Sequence, residues 1–399
     1  MLRAGNRIDL LENGAAYFPA LIAAIETAER EIYFESYLFV ADHIGYEVAH
    51  ALSRAVLRGV RVRVMLDGFG ALGFDGDIRH EWRVTGVDLL IYRPSRLGLH
   101  WPRLRRLHRK LVVIDARTAF VGGINVIDDR NAPGCPDHRY DYAVRVEGPL
   151  LADIYPSTRR LWWLLSWSQL HRRPARSSRV LMDMTPRGEV LAQFVLRDNL
   201  RHRRDIEQAY LSAIRSARHE IVIANAYFLP GMALRHALVE AAQRGVRVVI
   251  LLQGRSDHPL VRKATRALYR RFLEAGVEIR EYHASFMHAK VAVIDDAWAT
   301  VGSSNIDPFS LWLALEANVV IIDTGFARQL RASLEAAIQQ GSHAVHRMTW
   351  RRISRFEKMA SWVAYGILRV LMGLVWRRGA HKGAPDEGGE EGGNKADLG

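Results

Sequence analysis

The sequence predicts an α/β protein built from two homologous lobes, each a mixed sheet flanked by helices, related by pseudo-twofold symmetry and followed by a C-terminal segment suited to a membrane interface. Three observations predict it. A set of segments recurs in the same order in both halves, helical and strand-like apolar periods alternate within each half, and after about residue 345 the chain turns basic and then apolar. With 399 residues, 49% of them hydrophobic, the chain can fill two ordinary cores.

The elements follow in order. Residues 12–30 carry helical apolar spacing, 31–40 are rich in strand formers, 45–58 are helical again and 60–66 form a β run. The second half repeats this: "EIYFESYLF" at 31–39 returns as "EIVIANAYF" at 220–228, "RGVRVRVMLDG" at 58–68 as "RGVRVVILLQG" at 244–254, and "GVDLLIY" at 86–92 as "GVEIREY" at 276–282. These copies lie 189, 186 and 190 residues apart, whereas the next pair, "HRKLVVID" and "HAKVAVID", lies 180 apart. The shortfall locates a basic insertion, "RPSRLGLHWPRLRRL", ahead of the first of them. Each of these motifs reads as a hairpin: a strand, a turn at "ARTA" or "DAWA", then "FVGG" or "TVGS". A closing helix is expected over 327–340, and an apolar run flanked by arginines over 359–376. The predicted divisions are 1–175 and 176–345 for the lobes, 346–380 for a membrane-associating segment and 381–399 for a disordered, Gly-rich acidic tail.

Charge and cysteine content narrow the chemistry. A formal net charge of +13 points to anionic company: nucleic acid, an acidic membrane surface or a phosphorylated small molecule. A single cysteine, Cys135, excludes an intramolecular disulfide and a Cys-based zinc cluster, and fits a reducing setting. The first ten residues lack the pattern of a cleaved export signal. Only six of the 56 Lys plus Arg are lysine, so a lysine here is a choice.

Two of those six are Lys110 and Lys290, each two residues after a histidine. Side chains two apart on a strand share a face, so His108 stands beside Lys110 and His288 beside Lys290. Asp115 and Asp295 fall at the hairpin turns, in a supporting position, and Asn125 and Asn305 follow Gly122-Gly123 and Gly302-Ser303, where small residues admit a ligand. Packed about a twofold axis, the lobes would bring both His-Lys pairs to one pocket. Such a set suits a phosphodiester: one imidazole attacks phosphorus, the other protonates the departing alkoxide and later deprotonates the incoming alcohol. The lysines and the donors Asn125, Ser303 and Asn305 would neutralise the phosphate oxygens. Asp141 and Glu316, on strands downstream of each motif, are the candidates to orient the imidazoles. No metal or other cofactor is expected, since interleaved lysines would repel a cation.

The pair "HRKLVVID…GGIN" and "HAKVAVID…GSSN" resembles the duplicated H-x-K-x4-D signature of the phospholipase D superfamily. More narrowly, "NRIDLLENGAAYFPALIAAIETAEREIYFESYLF", "DYAVRVEGP", "ANAYFLPG" and "WATVGSSNIDPFSLWLALEANVVI" resemble the bacterial cardiolipin synthases of the B type, which lack N-terminal transmembrane helices. The resemblance spans residues 6–322. It implies two fused lobes with one site between them, and His108, Lys110, Asp115, His288, Lys290 and Asp295 as catalytic residues, with His108 the nucleophile and His288 the general acid. One departure stands out: Gly123 in the first copy faces Ser303 in the second.

The superfamily also contains nucleases, so the substrate class rests on other residues. The run at 359–376 carries Arg369 inside and is short for a spanning helix. Lying in the interface suits it better, with arginine snorkelling, tryptophan at headgroup level and basic flanks on anionic lipid. "RRLWWLLSWSQLHRR" at 159–173 has the same character, although Trp and Arg could also stack bases. The expected activity is phosphatidyl transfer from phosphatidylglycerol to a second phosphatidylglycerol or another alcohol, at the inner membrane surface of a bacterial cell. Nucleic acid is not expected as a partner, and one duplicated chain suffices for a complete site. The alternative is a phosphodiesterase or nuclease.

Overall fold

The computed structural model describes residues 1–71, 74, 76–93, 105–131, 138–168, 180–198, 202–255, 258–307, 314–352 and 354–380. Most of the basic insertion, the expected lobe boundary at 175/176 and the tail at 381–399 lie outside the described residues.

The first half contains β1 (Arg3–Glu12), α1 (Asn13–Glu26), β2 (Glu31–Ser36), α2 (His43–Leu57), β3 (Arg61–Asp67), α3 (Gly76–Thr85), β4 (Asp88–Tyr92), β5 (Arg106–Leu107), β6 (Lys110–Ile114), β7 (Thr118–Gly122), β8 (Arg139–Tyr140), β9 (Tyr142–Glu147) and α4 (Leu151–Ser168). The second contains β10 (Val190–Arg197), α5 (Asp205–Ser216), β11 (Glu220–Asn225), α6 (Met232–Gln243), β12 (Arg247–Gln253), α7 (Pro259–Ala267), α8 (Tyr269–Glu274), β13 (Glu278–Tyr282), β14 (Phe286–Met287), β15 (Lys290–Ile294), β16 (Trp298–Gly302), β17 (Ala314–Ile322) and α9 (Thr324–Gly341). After these come β18 (Ser342–Ala344), α10 (Arg347–Arg352) and α11 (Arg355–Ala380).

One mixed sheet of 16 strands runs through both halves. The first lobe contributes β4, β3, β2, β6, β7, β9 and β1 in that order; across the seam, β10, β17, β16, β15, β11, β12 and β13 follow, with β18 at the far edge. Read outward from the seam, the two sequences of strands are equivalent. β1 and β10 pair antiparallel at the join. β2, β3 and β4 are parallel, as βαβ crossovers through α2 and α3 require, and the motif hairpins β6–β7 and β15–β16 pair antiparallel.

Helices cover both faces, so the central strands are buried on both sides; all six residues of "EIYFES" are buried, its two glutamates included. α1, α2 and α3 close one core over the first lobe and α5, α6 and α7 its counterpart over the second, while α4 and α9 lie across a continuous core shared by both. Asp42 caps α2 by accepting from the Gly45 N–H, and Asp323 caps α9 by accepting from Phe326.

One expectation needs correction. The helical reading of 12–30 runs past the helix, which ends at Glu26, and the preceding "RAGNRIDLLE" is the seam strand β1. The apolar segment at 359–376 belongs to the 26-residue α11, one side of which is docked on the second lobe through Ala364, Tyr365 and Leu368. Among the described residues, no helix is long and apolar enough to cross a membrane.

Candidate active site

Both histidines stand just ahead of their motif strands, where main chain is exchanged between lobes. β5 pairs in parallel with the start of β17, Leu107 opposite Leu315; β14 pairs in parallel with β8, Met287 opposite Tyr140. The His108 N–H donates to the Leu315 carbonyl at 3.0 Å and the His288 N–H to the Tyr140 carbonyl at 2.8 Å. The residue after Leu315 is Glu316, and the residue after Tyr140 is Asp141. Each histidine is thereby held next to the other lobe's acid.

The side chains complete the exchange. Nδ1 of His108 lies 2.9 Å and 3.1 Å from the two oxygens of Glu316, and Nδ1 of His288 lies 2.7 Å from Asp141 Oδ2. An ionised carboxylate only accepts, so each Nδ1 carries a proton toward its acid and each Nε2 is turned away from it, available to attack or to exchange a proton. Lys110 Nζ donates to the His108 carbonyl at 2.8 Å, and Lys290 Nζ donates likewise to the His288 carbonyl. Lys290 also stands 4.0 Å from Asp141.

Burial sets the electrostatics. It pushes the Lys110 ammonium down to about 7, with Lys290 adding to the fall and Glu316 opposing it. Both imidazoles are lowered, first by burial; Glu316 opposes this for His108, while Lys290 and Lys110 reinforce it for His288, which goes well below the ordinary value. The two acids differ. Burial would raise Glu316, but His108 and Lys110 and the Ser303 hydroxyl hold it below the usual carboxylate value. Asp141 is pushed up to about 6 by burial, against Lys290 and the Tyr142 N–H.

Comparison with known proteins places the chain in a family. The profile described as "Cardiolipin synthase, PLD-like domain" matches residues 21–161 and again 210–338. Cardiolipin synthase B of Escherichia coli (strain K12) is 40% identical over 390 residues, covering 95% of this chain and 92% of that one. The chain belongs to the cardiolipin synthase family of phospholipase D-like proteins. Cardiolipin synthase 1 of Staphylococcus epidermidis (strain ATCC 12228 / FDA PCI 1200) is 30% identical over 343 residues, covering 85% of this chain and 69% of that one. In fold, the phosphatidylserine synthase of Haemophilus influenzae superposes with a TM-score of 0.66 at 15% identity, covering 92% of this chain and 94% of that one.

Not every residue of the family signature lies at the pocket of this cardiolipin synthase-family chain. Asp115 and Asp295 sit past the far ends of β6 and β15, both with φ of +51°. Asp115 accepts from the N–H groups of Glu29, Arg30 and Glu31 at 2.7–2.8 Å. Asp295 accepts from those of Arg218, His219 and Glu220 at 2.7–2.9 Å. Their carboxylates pin the hairpin turn to the start of the neighbouring strand, so their assignment as catalytic residues is corrected to a structural one.

Ser303 is also reassigned. It is fully buried, donates to Glu316 and accepts from the Ala317 N–H at 3.1 Å, so its hydroxyl is committed to the acid and not to a phosphate. The departure at Gly123 has the matching cause: a Cβ there would lie 2.3 Å from Asp141 Oδ1. Asn125 accepts from the Leu38 N–H at 3.1 Å, and Asn305 Oδ1 is buried without a hydrogen-bond partner among the described residues.

Sequence reading missed four neighbours. Tyr37 presents its ring 5.0 Å from the His108 ring and 5.3 Å from Lys110 Nζ. Tyr227 stands 6.4 Å from His288 and 5.2 Å from His258. Between His108 and Lys110, the buried Arg109 forms two 2.7 Å hydrogen bonds with Glu35, which also accepts from Thr158. A signal for this last pair was present: where the first copy has Glu35 and Arg109, the second has Ala224 and Ala289. Among the described residues, no group of three or more His, Cys, Asp or Glu side chains could hold a metal ion.

Proposed function

We propose that this chain is a phosphatidyltransferase that makes cardiolipin, joining two phosphatidylglycerol molecules through a phosphohistidine and releasing glycerol. The observation that carries the mechanism is the pair of crossed histidine–carboxylate contacts beside two buried lysines. Family membership supports the lipid substrate.

His108 Nε2 attacks the phosphorus of the first lipid. Its Nδ1–H is anchored on Glu316, whose carboxylate is held ionised and so supports the positive charge that develops on the ring. The P–O bond to glycerol breaks as His288, which enters this step as imidazolium with its Nδ1–H on Asp141, gives its Nε2 proton to the departing glycerol oxygen and becomes neutral. The hydroxyl of the second phosphatidylglycerol returns a proton to His288 as its oxygen attacks phosphorus. The P–N bond then breaks and His108 is restored. Asp141 at about 6 suits this partner, because a pair that shares its proton near neutrality can give and take one readily. Lys110, Lys290 and the amides of Asn125 and Asn305 stabilise the non-bridging oxygens. One chain supplies every group named. The enzyme works peripherally on an anionic bilayer surface, the cytoplasmic face of a bacterial inner membrane, and takes no nucleic acid.

The test uses anionic liposomes with labelled phosphatidylglycerol, comparing the wild type with His108→Ala and His288→Ala and identifying products by mass. Cardiolipin formation abolished in both variants is expected. Phosphatidic acid as the sole product would replace transfer by hydrolysis, and cleavage of DNA or RNA without lipid turnover would sink the lipid reading.

A further inference from the structure

α11 has two apolar sides. Ala364, Tyr365 and Leu368 are packed into the core of the second lobe, and Ser361, one turn earlier on the same side, is buried with them. Phe356, Met359, Val363, Ile367 and Val370, also three or four apart, form a ridge on the opposite side and are 46–74% exposed. A helix docked by one stripe ordinarily turns polar groups outward; a continuous apolar ridge marks an interaction surface.

Beside the ridge lies a cavity of about 190 Å³, lined among others by Arg270, Arg347, Lys358, Glu274, Trp350 and Trp362. Three cations face one acid there, and Glu274 accepts from Arg270 at 2.9 Å. Trp362, largely exposed, stands at the border between cavity and ridge. The volume is below the roughly 300–1,000 Å³ of sites that enclose a drug-sized ligand, so it suits a headgroup whose chains remain outside.

The helix also leads toward the chemistry. Glu357 accepts from Arg266 at the lower end of α7, whereas Tyr365 meets Arg235 near the start of α6. α6 follows the end of β11, where Asn225 pairs with Lys290. Its upper end therefore lies on the catalytic side of the sheet.

We propose that the ridge of α11 and the adjoining basic cavity form a second, non-catalytic site for anionic phospholipid at a bilayer surface. The ridge enters the acyl boundary, Trp362 lies at headgroup level, and Arg347 and Lys358 hold a phosphodiester in the cavity. This rests on the lipid reading of the active site and deepens it.

The experiment is flotation of the full chain with vesicles of phosphatidylglycerol in phosphatidylcholine, against vesicles of phosphatidylcholine alone. Val363→Asp with Ile367→Asp is expected to lower partition about tenfold on both. Arg347→Ala with Lys358→Ala is expected to remove most of the preference for phosphatidylglycerol. Both should melt close to the wild-type temperature, since Val363, Ile367 and Arg347 are exposed and Lys358 is only half-buried. Wild-type partition by either well-folded variant would overturn the proposal. So would concentration-dependent self-association without vesicles that the ridge variant abolishes, because the ridge would then be an interface between copies. Wild-type turnover of detergent-dispersed phosphatidylglycerol, measured in parallel, reports on the active-site reading alone, so the two can fail separately.

Discussion

At the scale of single residues, position within a motif does not decide role. Asp115 and Glu316 are both buried acids, yet one accepts from three backbone N–H groups and the other from an imidazole. Asp115→Ala should therefore cost about 2–4 kcal/mol of stability by leaving several buried donors unmet, read by urea titration, with kcat retained in the folded fraction. Glu316→Gln should leave stability near wild type but lower kcat by about 10³–10⁴, as loss of an orienting carboxylate does; equal losses in both measurements for both variants would refute the division. The pH profile follows from the same residues. Below about 6, Asp141 is protonated and ceases to accept from His288, so the rate falls as pH falls. Above about 7, Lys110 loses its charge, so kcat/KM falls as pH rises. The bell should thus be narrow, and Lys110→Arg should remove its alkaline limb, because guanidinium stays charged. A limb near 7 that survives in Lys110→Arg would assign it to another group.

At the scale of elements, the hairpins were legible because "KLVVID" and "KVAVID" are strand runs closed by turns, and the repeat fixed their equivalence. The exchanged strands β5, β8 and β14 were not, since two residues carry no period and their pairing joins distant parts of the chain. For the same reason the candidate acids Asp141 and Glu316 could be found, but not which histidine each serves. α11 was visible as an apolar run, whereas its docked side depends on what the second lobe presents. The two copies also differ in how they are braced. Arg109 and Glu35 tie β6 to β2, while alanines fill the same positions in the second lobe. Arg109→Ala should cost about 3–5 kcal/mol by stranding the Glu35 charge. Adding Glu35→Ala, which copies the second lobe, should recover most of that loss in thermal melts; an additive double variant would show that the pair is not coupled.

At the scale of the whole molecule, the seam of β1 and β10 makes one sheet from two repeats, and the core shared beneath α4 and α9 makes the lobes a single packed body. Both crossed pairs then lie within one chain. Mixing His108→Ala with His288→Ala should restore no cardiolipin synthesis, because each chain brings its own defect to its own site. Recovery on mixing, rising with protein concentration, would instead mean that lobes exchange between chains.

The crossing has a consequence for descent. A half-length forerunner with one motif and one acid could not have served its own histidine; it would have worked only as a pair of identical copies. Within one chain the partnership does not depend on dilution, and the two repeats are free to differ. The glycine opposite Asp141, the serine opposite Glu316 and the one-sided Arg109–Glu35 brace are differences that two copies of a single gene product could never have held.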